Sequence, residues 1–228
     1  MVKKGLFIAF EGIDGSGKST QAKMLADYII SLNKYNHVLR TREPYQDQNI
    51  RKILQQEEDP YSQGIKLAMM FTEDRRNHVN KLIMPNLLEG VHVISDRYSW
   101  STFAYQQTQG VKLHELLNMH KELPIPDIVF LVDLPVKDAI KRMKGDKERK
   151  LEQKFEKDIE FIEKLRNNYL KLSNTSQKLV IVVNGKLSAK EIFNKQIKPI
   201  FDTIYNARDN NLKIDYGLFR KIDITKLK

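Results

Sequence analysis

A chain of 228 residues, 41% of them hydrophobic and 30% charged, has room for one well-buried α/β domain and too little for two full ones. No apolar run approaches the length needed to span a bilayer. The absence of cysteine excludes disulfides, thiolate catalysis and cysteine-based zinc or iron–sulfur centres, and makes the cytoplasm the expected setting. A net charge of +10 attracts polyanions, but nucleic acid and nucleotide phosphates equally, so charge alone does not choose between them.

The first predicted element is an apolar strand from Leu6 to Phe10, too short for a signal peptide and closed by Glu11. It runs straight into Gly12-Ile13-Asp14-Gly15-Ser16-Gly17-Lys18-Ser19-Thr20, in which Gly12, Gly17, Lys18 and Ser19 fill the GxxxxGK[ST] pattern of a phosphate-binding loop (P-loop). Backbone N–H groups converge on phosphate oxygens only where side chains do not block the approach, and Gly12, Gly15 and Gly17 give that clearance. Lys18 is expected to reach the β- and γ-phosphates of ATP. Ser19 is expected to ligate Mg²⁺, with the following helix aiming its positive end at the anion.

Met24, Leu25, Tyr28, Ile29 and Leu32 recur at helical steps, and His37 to Thr41 reads as a second strand stopped by Arg42-Glu43-Pro44. Ile50, Ile53 and Leu54 allow a short helix, and Ile65 to Leu88 is helical with a break at Pro85. Val91 to Ser95 is a third strand, followed by Asp96-Arg97-Tyr98 and a helix over Ser99 to Gln107. Asp127 to Val132 is a nearly continuous apolar strand, as in a sheet buried on both faces. A helix from Val136 to Met143, a charge-dense segment and another helix to about Leu172 follow, then a strand over Leu179 to Val183 and a closing helix over Ala189 to Tyr205. Five strands alternating with helices predict a parallel sheet with helices on both faces, a P-loop NTPase fold, with ligands beyond the carboxyl ends of the strands. Asp14, Arg42, Asp96 and Arg97 all fall there. The expected domain covers residues 1–205, and 206–228 form a basic extension.

Which group accepts the γ-phosphoryl is answered by the other motifs. FEGIDGSGKST at 10–20, REP at 42–44, FTEDRR at 71–76, DRYSWSTFAYQ at 96–106 and PDIVFLVDLP at 126–135 together resemble the thymidylate kinases, in order and spacing, up to about Tyr169. The resemblance implies transfer of the ATP γ-phosphoryl group to dTMP, giving dTDP and ADP in dTTP biosynthesis, by a homodimer; no stable nucleic-acid partner and no membrane association are expected. It implies that Asp14 binds the deoxyribose 3′-hydroxyl; the residue alone equally allows a loop-stabilising Asx turn. Arg42 and Arg97 would hold the dTMP phosphate, where a guanidinium fork suits phosphate oxygens. Phe71 would stack on thymine and Arg75, one turn on, would reach the base edge, although an aromatic on an apolar helical stripe also fits the core. Tyr105 would lie beneath the sugar, with Ser101 and Gln106 along the same wall.

Asp96 sits where P-loop enzymes keep a magnesium-associated carboxylate, and could equally cap a helix. Arg142 would pack against adenine, with 184–186 opposite. The family places catalytic basic residues either in the P-loop or in a lid. Gly15 stands where a loop arginine would be, so a lid at about 143–151 is expected to supply the charge. Lys144, Lys147, Arg149 and Lys150 are its candidates and Arg149 is preferred, against the alternative of a solvated helix end. Other readings are a different nucleoside monophosphate kinase or a nucleic-acid-stimulated ATPase. Against the second, Asp96 is followed by Arg97 and not by a glutamate that could activate water.

Overall fold

The computed structural model describes residues 3–56, 58–145, 158–175 and 180–209. Five strands, β1 (Phe7–Glu11), β2 (Val38–Arg42), β3 (His92–Asp96), β4 (Ile128–Asp133) and β5 (Val180–Asn184), form one parallel sheet in the order β2-β3-β1-β4-β5. Each closes one residue further along the chain than the hydrophobic pattern predicts. The reason is common to all five: ladder pairing continues past the last apolar side chain, so every strand closes on a polar residue at the carboxyl edge (Glu11, Arg42, Asp96, Asp133, Asn184).

Alternate residues of β1 serve opposite faces, as the pleat requires. Leu6, Ile8 and Phe10 pack with α1 (Lys18–Leu32) through Ala22, Leu25 and Ile29, and with the carboxyl-terminal helices through Ile197, Phe201 and Ile204. Phe7 and Ala9 face Val79, Ile83, Leu87 and Tyr98 on the other side. Burial of the central strand on both faces is what holds the loop after it in place.

The remaining helices are α2 (Gln48–Gln56), α3 (Gly64–His78), α4 (Met84–Leu88), α5 (Ser99–Thr108), α6 (Leu113–His120), α7 (Val136–Gly145), α8 (Ile159–Thr175), α9 (Ala189–Ile192) and α10 (Lys198–Asp209). The break expected at Pro85 is a π-turn over Val79–Ile83, in which the Met84 N–H reaches back to the Val79 carbonyl. Proline has no N–H to give and its ring crowds the carbonyl one turn back, so a wider turn just upstream makes room. The same device recurs over Phe193–Ile197, ahead of Pro199. Helix α6 was not predicted from the sequence, and α10 runs past the expected end at Tyr205 to Asp209. Among the described residues no helix is long and apolar enough to cross a membrane.

Candidate active site

The loop between β1 and α1 is shaped by its neighbours as much as by any ligand. Gly12 has φ +135°, and a Cβ there would lie 2.6 Å from the Val132 carbonyl oxygen; at Gly15, φ +77°, it would lie 2.7 Å from that of Ala139. Glycine is therefore demanded at both positions by packing on β4 and α7, as well as by conformation. A loop arginine at Gly15 would collide with α7.

Lys18, at the first position of α1, turns its ammonium back into the loop, donating to the Ile13 carbonyl at 2.9 Å and lying 3.8 Å from Asp14 Oδ1. Burial, helped by the nearby Arg97 charge, pushes its pKa down to about 8. The neighbouring Ser19 hydroxyl donates to Asp96 Oδ2, which joins the start of α1 to the end of β3. Arg142 on α7 bridges the loop and the β5–α9 turn, donating to the Ser16 carbonyl at 3.3 Å and the Gly185 carbonyl at 2.8 Å.

Arg97 occupies the left-handed region at φ +75°, where a non-glycine residue is uncommon. Its backbone is pinned there, with the N–H on the Phe10 carbonyl at 2.9 Å and the carbonyl accepting from Ser95 Oγ at 2.7 Å. The guanidinium points into the loop. Nη2 donates to Asp14 Oδ1 at 2.6 Å and to the Tyr105 hydroxyl at 3.3 Å, while Nη1 reaches Gly12 O, Ser101 Oγ and the Tyr169 hydroxyl at 3.1, 3.0 and 3.2 Å. By contrast Arg42, at the end of β2, is exposed and makes no ion pair with a described residue.

Arg75 is 1% exposed and is held by protein. Its Nε donates to Glu43 Oε2 at 2.8 Å, Nη2 lies 2.6 Å from the same oxygen and donates to Thr102 Oγ1 at 3.1 Å, and Nη1 meets His120 Nε2. His120 gives its Nδ1 proton to the Leu116 carbonyl at 2.7 Å, leaving Nε2 as the acceptor. Burial and the adjacent Arg75 hold its pKa down at about 3, so the ring stays neutral. Counted against its five N–H groups, Arg75 keeps one Nη1 proton uncommitted among the described residues.

Loop and arginines open into one cavity of about 920 Å³. Asp14 to Gln21 line one end, with Arg142 and residues 187–189 beyond them. Arg42, Phe71, Arg75, Arg97, Ser101, Tyr105 and Gln106 line the other. The structure thus brings together the sequence-predicted site residues that it describes, apart from Gly12, which backs the loop, and from Lys144 and 184–186, which do not line the cavity. Arg149 lies outside the described residues, as do Lys147, Lys150, most of the expected lid and 210–228 of the extension.

Other residues of the site were not anticipated. Arg51, Leu54 and Gln55 bring one face of α2 into the cavity. The Arg51 guanidinium makes no ion pair with a described residue. Asp74 accepts the backbone N–H groups of Tyr45, Gln46 and Asp47, the last two at 2.9 Å, and so fixes the segment after the REP motif. A carboxylate on the buried side of α3 was the available signal, since a buried acid needs partners. Tyr169 and Glu11 were likewise unassigned, and both lie behind Arg97. The Gln106 side chain is fully buried, gives Nε2 to Gln109 at 3.0 Å and leaves Oε1 with no partner among the described residues.

Residues 10–197 match the family model described as thymidylate kinase. A "probable thymidylate kinase" of Thermococcus kodakarensis is 38% identical over 208 residues, spanning 87% of this chain and 98% of its own. One of Pyrococcus horikoshii is 41% identical over 196 residues, spanning 83% and 92%. A "thymidylate kinase" of Sulfurihydrogenibium sp. is 37% identical over 196 residues, spanning 82% and 93%.

Proposed function

The chain belongs to the thymidylate kinase family, and from that premise we propose how its residues divide the work of moving a phosphoryl group from ATP to dTMP, giving ADP and dTDP. The observation that carries the division is the single cavity with a glycine-lined cradle and Lys18 at one end and guanidinium groups at the other. Two polyanions can meet there only if cations stand between them.

ATP lies with its phosphates along Gly12 to Thr20, Lys18 on the β- and γ-phosphates and the adenine under Arg142. The acceptor phosphate is taken by Arg42 and Arg97. For that to happen Arg97 turns its Nη2 edge from Asp14 to the phosphate and yields its place on that carboxylate to the sugar 3′-hydroxyl. Phe71 stacks on the base, Tyr105 supports the sugar, and the spare Nη1 proton of Arg75 and the unpartnered Gln106 Oε1, once its buried amide turns toward the cavity, meet complementary atoms on the thymine edge. Ser101 lines the wall beside Arg97. A phosphate monoester is already ionised near neutral pH, so no side chain has to remove a proton; alignment and neutralisation of charge suffice. Arg149 supplies the lid charge that Gly15 cannot.

Ser19 and Asp96 would hold Mg²⁺: a hydroxyl and a carboxylate already in contact are the hard oxygen donors this ion takes, with waters and phosphate oxygens completing the shell. When bound, the ion neutralises charge on the β- and γ-phosphates. We place the enzyme in the cytoplasm, the setting that its lack of cysteine favours, as the homodimer that the resemblance implies, a state that sedimentation reads directly. A coupled assay of ADP release tests the whole assignment. dTMP should give the highest kcat/KM among dTMP, dUMP, dCMP and dGMP, whereas ATP consumption that ignores all four would overturn it.

A further inference from the structure

Glu11 closes β1 and is completely buried, yet the transfer just described leaves it without a task. Four donors lie within hydrogen-bond reach of its carboxylate. Oε1 takes the backbone N–H of Tyr98 at 2.8 Å and of Ser101 at 3.2 Å; Oε2 takes the Ser101 hydroxyl at 2.6 Å and lies 3.3 Å from that of Tyr169. The same two hydroxyls lie against Arg97 Nη1, at 3.0 and 3.2 Å, and 2.9 Å from each other. Each hydroxyl has one proton. Ser101 spends its proton on Glu11, and Tyr169 spends its own on Glu11 or on Ser101. In either case both protons point away from the guanidinium and both sets of lone pairs point toward it.

We propose that Glu11 is the positioning residue for Arg97: its carboxylate turns the Ser101 and Tyr169 hydroxyls into acceptors, which fixes the Nη1 edge and leaves the Nη2 edge to pass from Asp14 to the acceptor phosphate. The two backbone N–H groups it holds flank the same corner, Tyr98 directly following the left-handed Arg97. This inference rests on the reading of Arg97 as a phosphate ligand. It also gives α8 a part in the site, since Tyr169 is the one contributor to this network from that helix among the described residues.

Only an all-acceptor group does this. In glutamine, an amide NH₂ facing the hydroxyls reverses their protons toward Arg97. Facing the other way, it meets two backbone donors head on. A protonated Glu11 carries the same fault in milder form. Burial pushes Glu11 up to about 7, against the Ser101 hydrogen bond and the charges of Arg97 and Arg75. The titratable and charged groups facing it are Arg97 before α5, Arg75 on α3, Lys18 on α1 and Tyr169 on α8.

The test compares the wild type, Glu11→Gln, Tyr169→Phe and the double variant by steady-state kinetics with dTMP and ATP. Glu11→Gln should lower kcat at least tenfold, with both KM values within about threefold and a thermal midpoint at pH 8 no lower than that of the wild type. Tyr169→Phe should lower kcat about threefold and add nothing to the Gln variant, because it removes a group that then has no orienting partner. The ratio of wild-type to Gln-variant kcat should rise with pH through about 7, a comparison from which the ionisation of the acceptor itself cancels. Unchanged kcat in folded Glu11→Gln, or fully multiplicative effects in the double variant, would overturn the positioning role. Should Glu11→Gln fail to fold, an unaltered kcat in Tyr169→Phe overturns it alone. A wild-type chain that leaves dTMP untouched removes the acceptor, and with it both this proposal and the reading beneath it; the first two outcomes leave that reading standing.

Discussion

At one end of the cavity most of the lining is one contiguous stretch, Asp14 to Gln21; at the other it comes from residues delivered by β2, α2, α3, α5 and the turn after β3. The loop end needs little from distant parts of the chain beyond room, which glycine gives where β4 and α7 press on it. The side-chain end has to hold several cations close together with no ligand present, and it does so by pairing Arg75 and Arg97 internally and leaving Arg42 and Arg51 without an ion pair to a described residue. Arg75 is locked to Glu43 and His120, Arg97 is leaned on Asp14, and Arg42 stays out in solvent. A cation committed to a buried carboxylate serves the fold first. One leaned on a half-buried carboxylate can change partner.

That contrast is broken most violently at Arg75. Arg75→Met leaves Glu43, 3% exposed, with its charge buried and its guanidinium partner gone, the situation that typically costs about 3 to 5 kcal/mol. Urea unfolding should show this loss without any ligand. The Arg97→Ala and Lys18→Ala variants should lose less stability than that, because Asp14 has solvent to fall back on and Glu11, held near 7 by burial, can take up a proton, and should instead lose turnover. Removing one preorganised donor costs about 3 kcal/mol of barrier, or roughly a hundredfold or more in kcat. Equal stability losses in all three variants would erase the distinction between committed and leaning arginines, and normal turnover without Lys18 or Arg97 would remove their assigned roles.

A smaller effect separates the two ends by pH. Lys18 has its pKa lowered to about 8 by burial, and phosphate would restore its charge. Above that pH the free enzyme must take up a proton to bind ATP, so KM for ATP should climb roughly tenfold per pH unit while KM for dTMP, held by arginines, stays flat. The sign on stability is opposite. A lysine with a lowered folded pKa makes the native state bind fewer protons than the unfolded chain between about 8 and 10.5, so its burial cost fades as pH rises through that window. A KM for ATP that is level to pH 9 would mean that Lys18 is already charged in the free enzyme.

The same contrast explains what could be read in the sequence. Gly12 to Thr20 are contiguous, and their spacing carries the chemistry, so the loop end is legible from one stretch. Arg42, Asp96 and Arg97 are legible because a parallel sheet gathers the ends of its strands on one edge, and the one-residue offset of every strand moves Arg42 and Asp96 into the strands without moving them off that edge. Three parts of the site lie beyond such reasoning. His120 sits on α6, which no motif announces, and its acceptor nitrogen is set by a contact with Leu116. Arg51 belongs to a short helix whose apolar residues show where it packs, but whose polar face carries no sign of what it faces. Glu11 is the plainest case: as the last residue of a strand it reads as the end of an apolar run, and its importance lies in four donors from three residues distant in sequence, Tyr98, Ser101 and Tyr169.

Gln106 offers the finest cut. Its Oε1 is buried with no partner among the described residues, so the free protein already bears the cost of desolvating an acceptor. Gln106→Leu removes that cost, and gives up only the hydrogen bond to Gln109, which keeps its own contacts with the Pro60 and Ser62 carbonyls. Thermal stability should therefore hold or rise slightly. Binding of dTMP should weaken by about 1 kcal/mol, a several-fold increase in KM with kcat little changed, because a neutral hydrogen bond to the base is lost equally in ground and transition states. A fall in stability with KM unchanged would show the opposite arrangement, a glutamine that belongs with the committed side chains of the core and has nothing to offer the base.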